Sequence, residues 1–213
     1  MRGSRNNVNK ILITLPLAGI LLFVVFYVIA ALYYPGGSYV APEQIGFSFE
    51  HNYLCDLLDD VAVNGEINTA RLYSRISLGI LCGSLILLWA YLPWLFDVKR
   101  RIHVLISACG ILSMLITVFL ALGAHDIVVR IAGFFGAIAL LLTFRELYKA
   151  HYGKLLFLGI VSLVLFLANY YIYETGVLIE RLPLIQKVTF ISCLSWFVIL
   201  NILLLKKYKI DNN

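Results

Sequence analysis

Six apolar runs, separated by short charged segments, constrain this chain more than any other feature of its sequence. They cover Ile11 to Tyr33, Ile76 to Phe96, His103 to Leu122, Ile127 to Phe144, Leu155 to Tyr173 and Leu184 to Leu205. A helix of about 20 apolar residues rises about 30 Å, the thickness of a bilayer's hydrocarbon layer. The chain is 62% hydrophobic and 14% charged, whereas soluble domains are about half apolar and a quarter charged. Water cannot solvate so much apolar surface around one core; lipid can. The sequence therefore predicts an all-α, polytopic six-helix transmembrane bundle forming one domain over residues 1–213, with a single long loop at 34–75. The first run exceeds the roughly 7–15 residues of a signal-peptide core, so it is expected to stay as an anchor. The third and fourth runs are joined only by Gly123-Ala124-His125-Asp126 and predict a tight helical hairpin.

Charge placement predicts orientation. With the N-terminus inside, the short inner segments hold Arg2, Arg5, Lys10, Lys99, Arg100, Arg101, Arg145, Lys149, Lys154, Lys206, Lys207 and Lys209, which is 12 of the 17 lysines and arginines. Arg71, Arg75, Arg130, Arg181 and Lys187 fall outside. This is the positive-inside pattern. It places both termini in the cytoplasm, predicts a plasma-membrane location, and accounts for the net charge of +5 without nucleic acid. Tyr33, Tyr34, Trp89, Tyr91, Trp94, Tyr170, Tyr171 and Tyr173 lie near expected span ends, where aromatic rings favour headgroup depth. Trp196 falls mid-span. Gly79 and Gly83 form a G-x-x-x-G pair and Ala132 and Gly136 a similar one; both predict close helix packing. Cys82, Cys109 and Cys193 lie within apolar runs and are expected to be inert, leaving Cys55 alone in the loop.

The loop opens with Pro35-Gly36-Gly37, a turn signal. Within it, Leu54, Leu57, Leu58 and Val61 share one face at a period of 3.6, with Asp56, Asp59 and Asp60 opposite. This predicts a short amphipathic helix that lies on the outer membrane surface or caps the bundle. Asn64-Gly65 predicts a turn, and Asn68 or Thr69 a cap for the second span. Arg71 and Arg75 sit where the helix dipole disfavours cations, so a nearby acid is expected to compensate. Arg130 follows Asp126 by four residues and can pair with it. Lys187 lies about one turn inside the sixth span, where it either snorkels or faces the bundle interior.

These features gather Glu50, His51, Asp56, Asp59, Asp60, Glu66, Arg71, His125, Asp126, Arg130 and Lys187 on the outer side as a candidate polar site. Its mixed charges suit a lipid headgroup or a small solute. His51, Asp56, His125 and Asp126 are weak candidates for a metal, since no H-E-x-x-H or clustered Cys/His spacing is present. No G-x-S-x-G elbow supports a serine hydrolase. Cys55, His125 and Asp126 supply residue types for nucleophilic catalysis, without a motif. His103 and His151 lie in basic inner segments and are expected to be solvated or at headgroup depth.

The run Asn52-Tyr53-Leu54-Cys55-Asp56-Leu57-Leu58, followed by Asn64-Gly65, Asn68-Thr69-Ala70-Arg71 and the His125-Asp126 tip, resembles an uncharacterised family of six-span prokaryotic membrane proteins. That family is similar in layout to the DRAM/Sfk-type eukaryotic proteins. The resemblance implies a six-helix fold with its first outer loop against the bundle, and neither a reaction nor a cofactor. Three readings fit the sequence: a binding site for headgroups or solutes, a membrane-embedded hydrolase or transferase using the loop carboxylates and His125, and a non-enzymatic scaffold.

Overall fold

A computed structural model describes residues 2–96, 101–122 and 125–212. Six α-helices form: α1 (Arg2–Leu32), α2 (Arg71–Tyr91), α3 (Arg101–Thr117), α4 (His125–Lys149), α5 (Gly153–Thr175) and α6 (Leu182–Asn212). Short 3-10 turns extend α2 to Leu95 and α3 to Leu122, and another leads into α6. The segments long and apolar enough to cross a membrane are Lys10–Leu32, Arg71–Leu95, Arg101–Ala121, Asp126–Lys149, Gly153–Thr175 and Ile179–Ile210. The chain is thus a multi-pass membrane protein. Most helices outrun their apolar runs because charged side chains occupy the end turns and can reach the interface.

Each helix packs on its neighbour in sequence, and α6 returns to α1. The interior holds Leu88, Trp89, Leu92, Ile106, Leu147, Trp196, Leu200 and Leu204. Trp196, anomalous as a mid-span aromatic, is a core residue whose indole N–H donates to the Leu155 carbonyl at 3.0 Å. Trp89 and Tyr34 are corrections to the expected aromatic belt: both are buried. The indole of Trp89 fits because Gly110 lies beneath it; a Cβ at Gly110 would come within 2.2 Å of the ring.

The glycine pairs divide. Gly136 lies against Ser113, whose hydroxyl donates to the Ala132 carbonyl at 2.8 Å, so this pair does bring α3 and α4 together. Gly79 and Gly83 pack against nothing within the bundle, because a Cβ on either would meet nothing within 4 Å. They share the outward face of α2 with Leu72 and Ile76.

Candidate functional site

The segment between α1 and α2 folds into the end of the bundle. It turns at Gly36 and Gly37, whose φ angles are +149° and +82°. A Cβ at Gly36 would sit 2.3 Å from the Gln44 carbonyl, and one at Gly37 2.4 Å from the Asn64 nitrogen, so only glycine fits. The expected amphipathic helix shrinks to one 3-10 turn, Cys55–Leu57. Its faces also differ from the helical reading: Asp56 and Leu57 both point inward and Val61 is exposed.

The reason lies in the carbonyls, which a longer helix would need for itself. Leu54 O accepts from the Tyr27 hydroxyl. Asp56 O and Asp59 O accept from the Asn68 amide at 3.0 and 2.8 Å. Leu57 O takes the Ser74 hydroxyl at 2.5 Å, and Leu58 O takes the Arg75 guanidinium at 2.9 and 3.2 Å. Tyr27, Ser74 and Arg75 are helix residues a turn or more from the α1 and α2 ends, so the loop is sunk between the helices rather than laid across them.

Two buried asparagines organise it. The Asn52 amide donates to Gly37 O at 2.7 Å and to Asp56 Oδ2 at 2.9 Å. Its Oδ1 accepts from the Gln44 amide at 2.7 Å and the Ser48 backbone N–H at 2.9 Å. Asn68 joins the Asp56 and Asp59 carbonyls to the Ala70 N–H that opens α2, at 3.0 Å. The expected cap is corrected: Ala70, and neither Asn68 nor Thr69, is the N-cap of α2, and Asn68 instead holds the Ala70 N–H just before it. Neither asparagine stands among the candidate site residues of the sequence, although both lie in the runs that carry the resemblance, since an uncharged side chain gives no sign that it is buried.

Lys187 reaches this hub from α6. It is only 3% exposed, which corrects the snorkelling alternative. Its ammonium donates to Asn52 O at 2.5 Å and to Pro183 O at 3.1 Å, with the Phe47 and Phe49 rings 5.5 and 5.2 Å away. Burying a lone ammonium costs several kcal/mol; carbonyl dipoles and two ring faces, each worth about 0.5–2 kcal/mol, offset part of that. The rest falls to Asp56, which interacts electrostatically with Lys187. Burial raises the Asp56 carboxyl above its ordinary value, while the Asn52 amide, the Tyr53 N–H and Lys187 pull it back. Among the described residues no hydrogen bond uses Asp56 Oδ1 or the third N–H of Lys187.

The remaining candidates form a rim. Asp60 bridges Arg71 and Arg75, at 3.1 and 3.0 Å, which identifies the compensating acid. Glu50 pairs with Arg181 at 3.2 Å. Arg130 pairs with Glu174 on α5 at 2.7 Å, and Asp126 accepts from Tyr173 at 3.0 Å. His51 is half-buried against the Ser48 hydroxyl, Glu66 is exposed at a turn, and Asp59 is exposed. Only Asp56 and Lys187 of the candidate set enter the buried hub. The His125 side chain lies outside the described residues. No group of three metal-ligating side chains occurs among the described residues. Burial pushes the Cys55 thiol up to about 12, aided by Asp56 and Asp59.

A second polar cluster lies at the opposite end. His103 is buried, a correction to its expected solvation, with Nε2 3.2 Å from Glu146 Oε2 and its ring stacked on Phe96 at 5.1 Å. Lys149 holds the other Glu146 oxygen at 3.2 Å. The signal available was a Glu146–Lys149 spacing of three on a helix, together with a histidine at the start of an apolar run.

No family model matches the chain, and neither does any curated protein or solved structure.

Proposed function

We propose that this protein resides in the plasma membrane with both termini in the cytoplasm, and that its loop and α6 form an outward-facing polar site for a lipid headgroup or small zwitterionic solute. The observation that carries the reading is Lys187, a cation buried in a spanning helix beside a buried carboxylate. Ionisable groups at such depth are costly, and they mark binding and transport sites in membrane proteins. A ligand with one acidic and one basic group would answer the unused N–H of Lys187 and Oδ1 of Asp56. The distribution of lysine and arginine supports the orientation. Nucleophilic chemistry gains no support, since a thiol raised to about 12 is protonated at neutral pH. A second reading, favoured by the saturation of Asn52 and Asn68, makes the loop a purely structural lid.

Thermal unfolding of the purified protein with phosphoethanolamine, phosphocholine or glycerol 3-phosphate separates the two. A ligand at 100 times its Kd stabilises by about 2.7 kcal/mol. The binding reading expects a rise in Tm with at least one of these for the wild type and none for Lys187→Met. Wild-type Tm unmoved by any of them would favour the lid.

A further inference from the structure

The loop carries a surface that the hub does not use. Residues 61–67 form a minimal hairpin: Val61 and Ile67 bridge in antiparallel fashion, Ala62 N–H donates to Glu66 O at 2.9 Å, and Gly65 N–H donates to Ala62 O at 2.9 Å. Directly opposed residues of an antiparallel pair point to the same face, as do residues two apart. Val61 and Ile67 therefore share one side and are 55% and 71% exposed, and Val63, at the turn between them, is 45% exposed. Their neighbour Ala62 points inward and is buried.

The depth of this hairpin is fixed by its attachments. Thr69, two residues beyond Ile67, donates its hydroxyl to Tyr33 O at 2.6 Å. Tyr33 stacks on Tyr73 with ring centroids 5.1 Å apart, and exposed Tyr170, Tyr171 and Tyr173 ring the same end of the bundle. Tyrosines in such a girdle sit at headgroup level. Two residues span at most about 7 Å, so Ile67 lies within that distance of Thr69, which is hydrogen-bonded to the girdle at Tyr33. On the other side, Asp60 is clamped to Arg71 and Arg75, next to the lipid-facing stripe of Leu72 and Ile76. The apolar face of the hairpin thus continues the lipid-facing surface of α2, and the arginine pair more than offsets the charge of Asp60.

We propose that the 61–67 hairpin is a foot seated in the headgroup layer, with Val61, Val63 and Ile67 touching lipid, and that it prefers zwitterionic to anionic phospholipid. The preference follows from charge. Residues 34–70 contain six acids, Glu43, Glu50, Asp56, Asp59, Asp60 and Glu66, and no lysine or arginine; Arg71, Arg75, Arg181 and Lys187 reach them from the helices and leave the loop two negative charges in excess. Anionic headgroups would repel them, and basic interfacial segments show the opposite taste. The foot is independent of what Lys187 binds.

Tryptophan quenching tests it. The full chain is reconstituted as Ile67→Trp, as Glu66→Trp, and as wild type, whose own indoles give the baseline. Vesicles are phosphatidylcholine carrying bromine high in its acyl chains. The added emission of Ile67→Trp is expected to be quenched several-fold more by bromolipid than that of Glu66→Trp, and to be protected from aqueous iodide. Val61→Trp is expected to behave like Ile67→Trp and serves if the latter misfolds by circular dichroism. Emission from residues 61 and 67 as open to iodide as residue 66 would overturn the proposal. So would emission insensitive to both quenchers, which would mean that protein covers the face. In mixed vesicles at equal mole fraction, brominated phosphatidylcholine is expected to quench more than brominated phosphatidylglycerol; equal quenching would refute the lipid preference.

Discussion

Replacing Asn52 with alanine should open the loop while leaving the helices in place. The side chain makes four hydrogen bonds, two donated and two accepted. Asp56 Oδ2 keeps the Tyr53 N–H as a partner, the Gln44 amide keeps Gly46 O and Gly37 O keeps the Tyr34 hydroxyl, but the Ser48 N–H loses its buried one. An unsatisfied buried group costs about 1–3 kcal/mol, about 2 kcal/mol at the middle of that range. Each 1.4 kcal/mol is tenfold in population, so the open loop becomes about 30-fold more populated. Cys55 reports the opening. In the closed loop its thiol is pushed up to about 12, against about 8.5 for a free cysteine. Opening therefore raises its thiolate fraction by about three orders of magnitude at neutral pH. Maleimide labelling of Cys55, followed by peptide mass spectrometry, should accelerate by up to about 30-fold in Asn52→Ala, with circular dichroism unchanged. A labelling rate equal to that of the wild type would show that Asn52 does not hold the loop shut.

Two further perturbations probe the packing and the charge. Because the folded state raises the Asp56 carboxyl, it holds that proton to higher pH than the unfolded chain does. Stability from this group is thus full below the ordinary carboxyl range, near pH 4, and falls as pH rises through the raised value. Asp56→Asn, whose amide nitrogen can take the place of Oδ1, should flatten this slope in a series of melting curves. A slope of Tm against pH that persists in Asp56→Asn would assign it elsewhere. Gly110→Ala drives a methyl into the Trp89 indole and should cost about 1–3 kcal/mol. Gly79→Ala meets open space and should be neutral or slightly stabilising. Comparable losses of Tm in both would contradict the placement of the two glycines.

The six spans were legible because bilayer thickness imposes a length and composition that apolar runs display directly. The loop was legible only where chemistry was unusual for its position. Asp56 stood out as one of a cluster of loop acids, Lys187 as a charge inside a span end, and Arg71 and Arg75 as cations at a helix start that needed an acid. What the sequence hid was direction. A period of 3.6 assigned Asp56 to a solvated face, but that period assumes the backbone bonds to itself. Here Tyr27, Asn68, Ser74 and Arg75 take the carbonyls, and the turn points Asp56 inward. Gly79 and Gly83 misled for a related reason: the spacing marks a surface able to be approached closely, without naming what approaches it. His103 and Glu146 escaped because their partnership spans 43 residues and two helices.

The central claim is that the loop and the sixth span meet, with Asp56 and Lys187 joined through Asn52. A double-mutant cycle on unfolding free energy with Asp56→Asn and Lys187→Met tests it most directly. Groups sharing a network couple by about 0.5–3 kcal/mol, and the double variant should be less destabilised than the sum of the singles. Strict additivity would mean that the two residues do not act on each other, and the site described above would not exist.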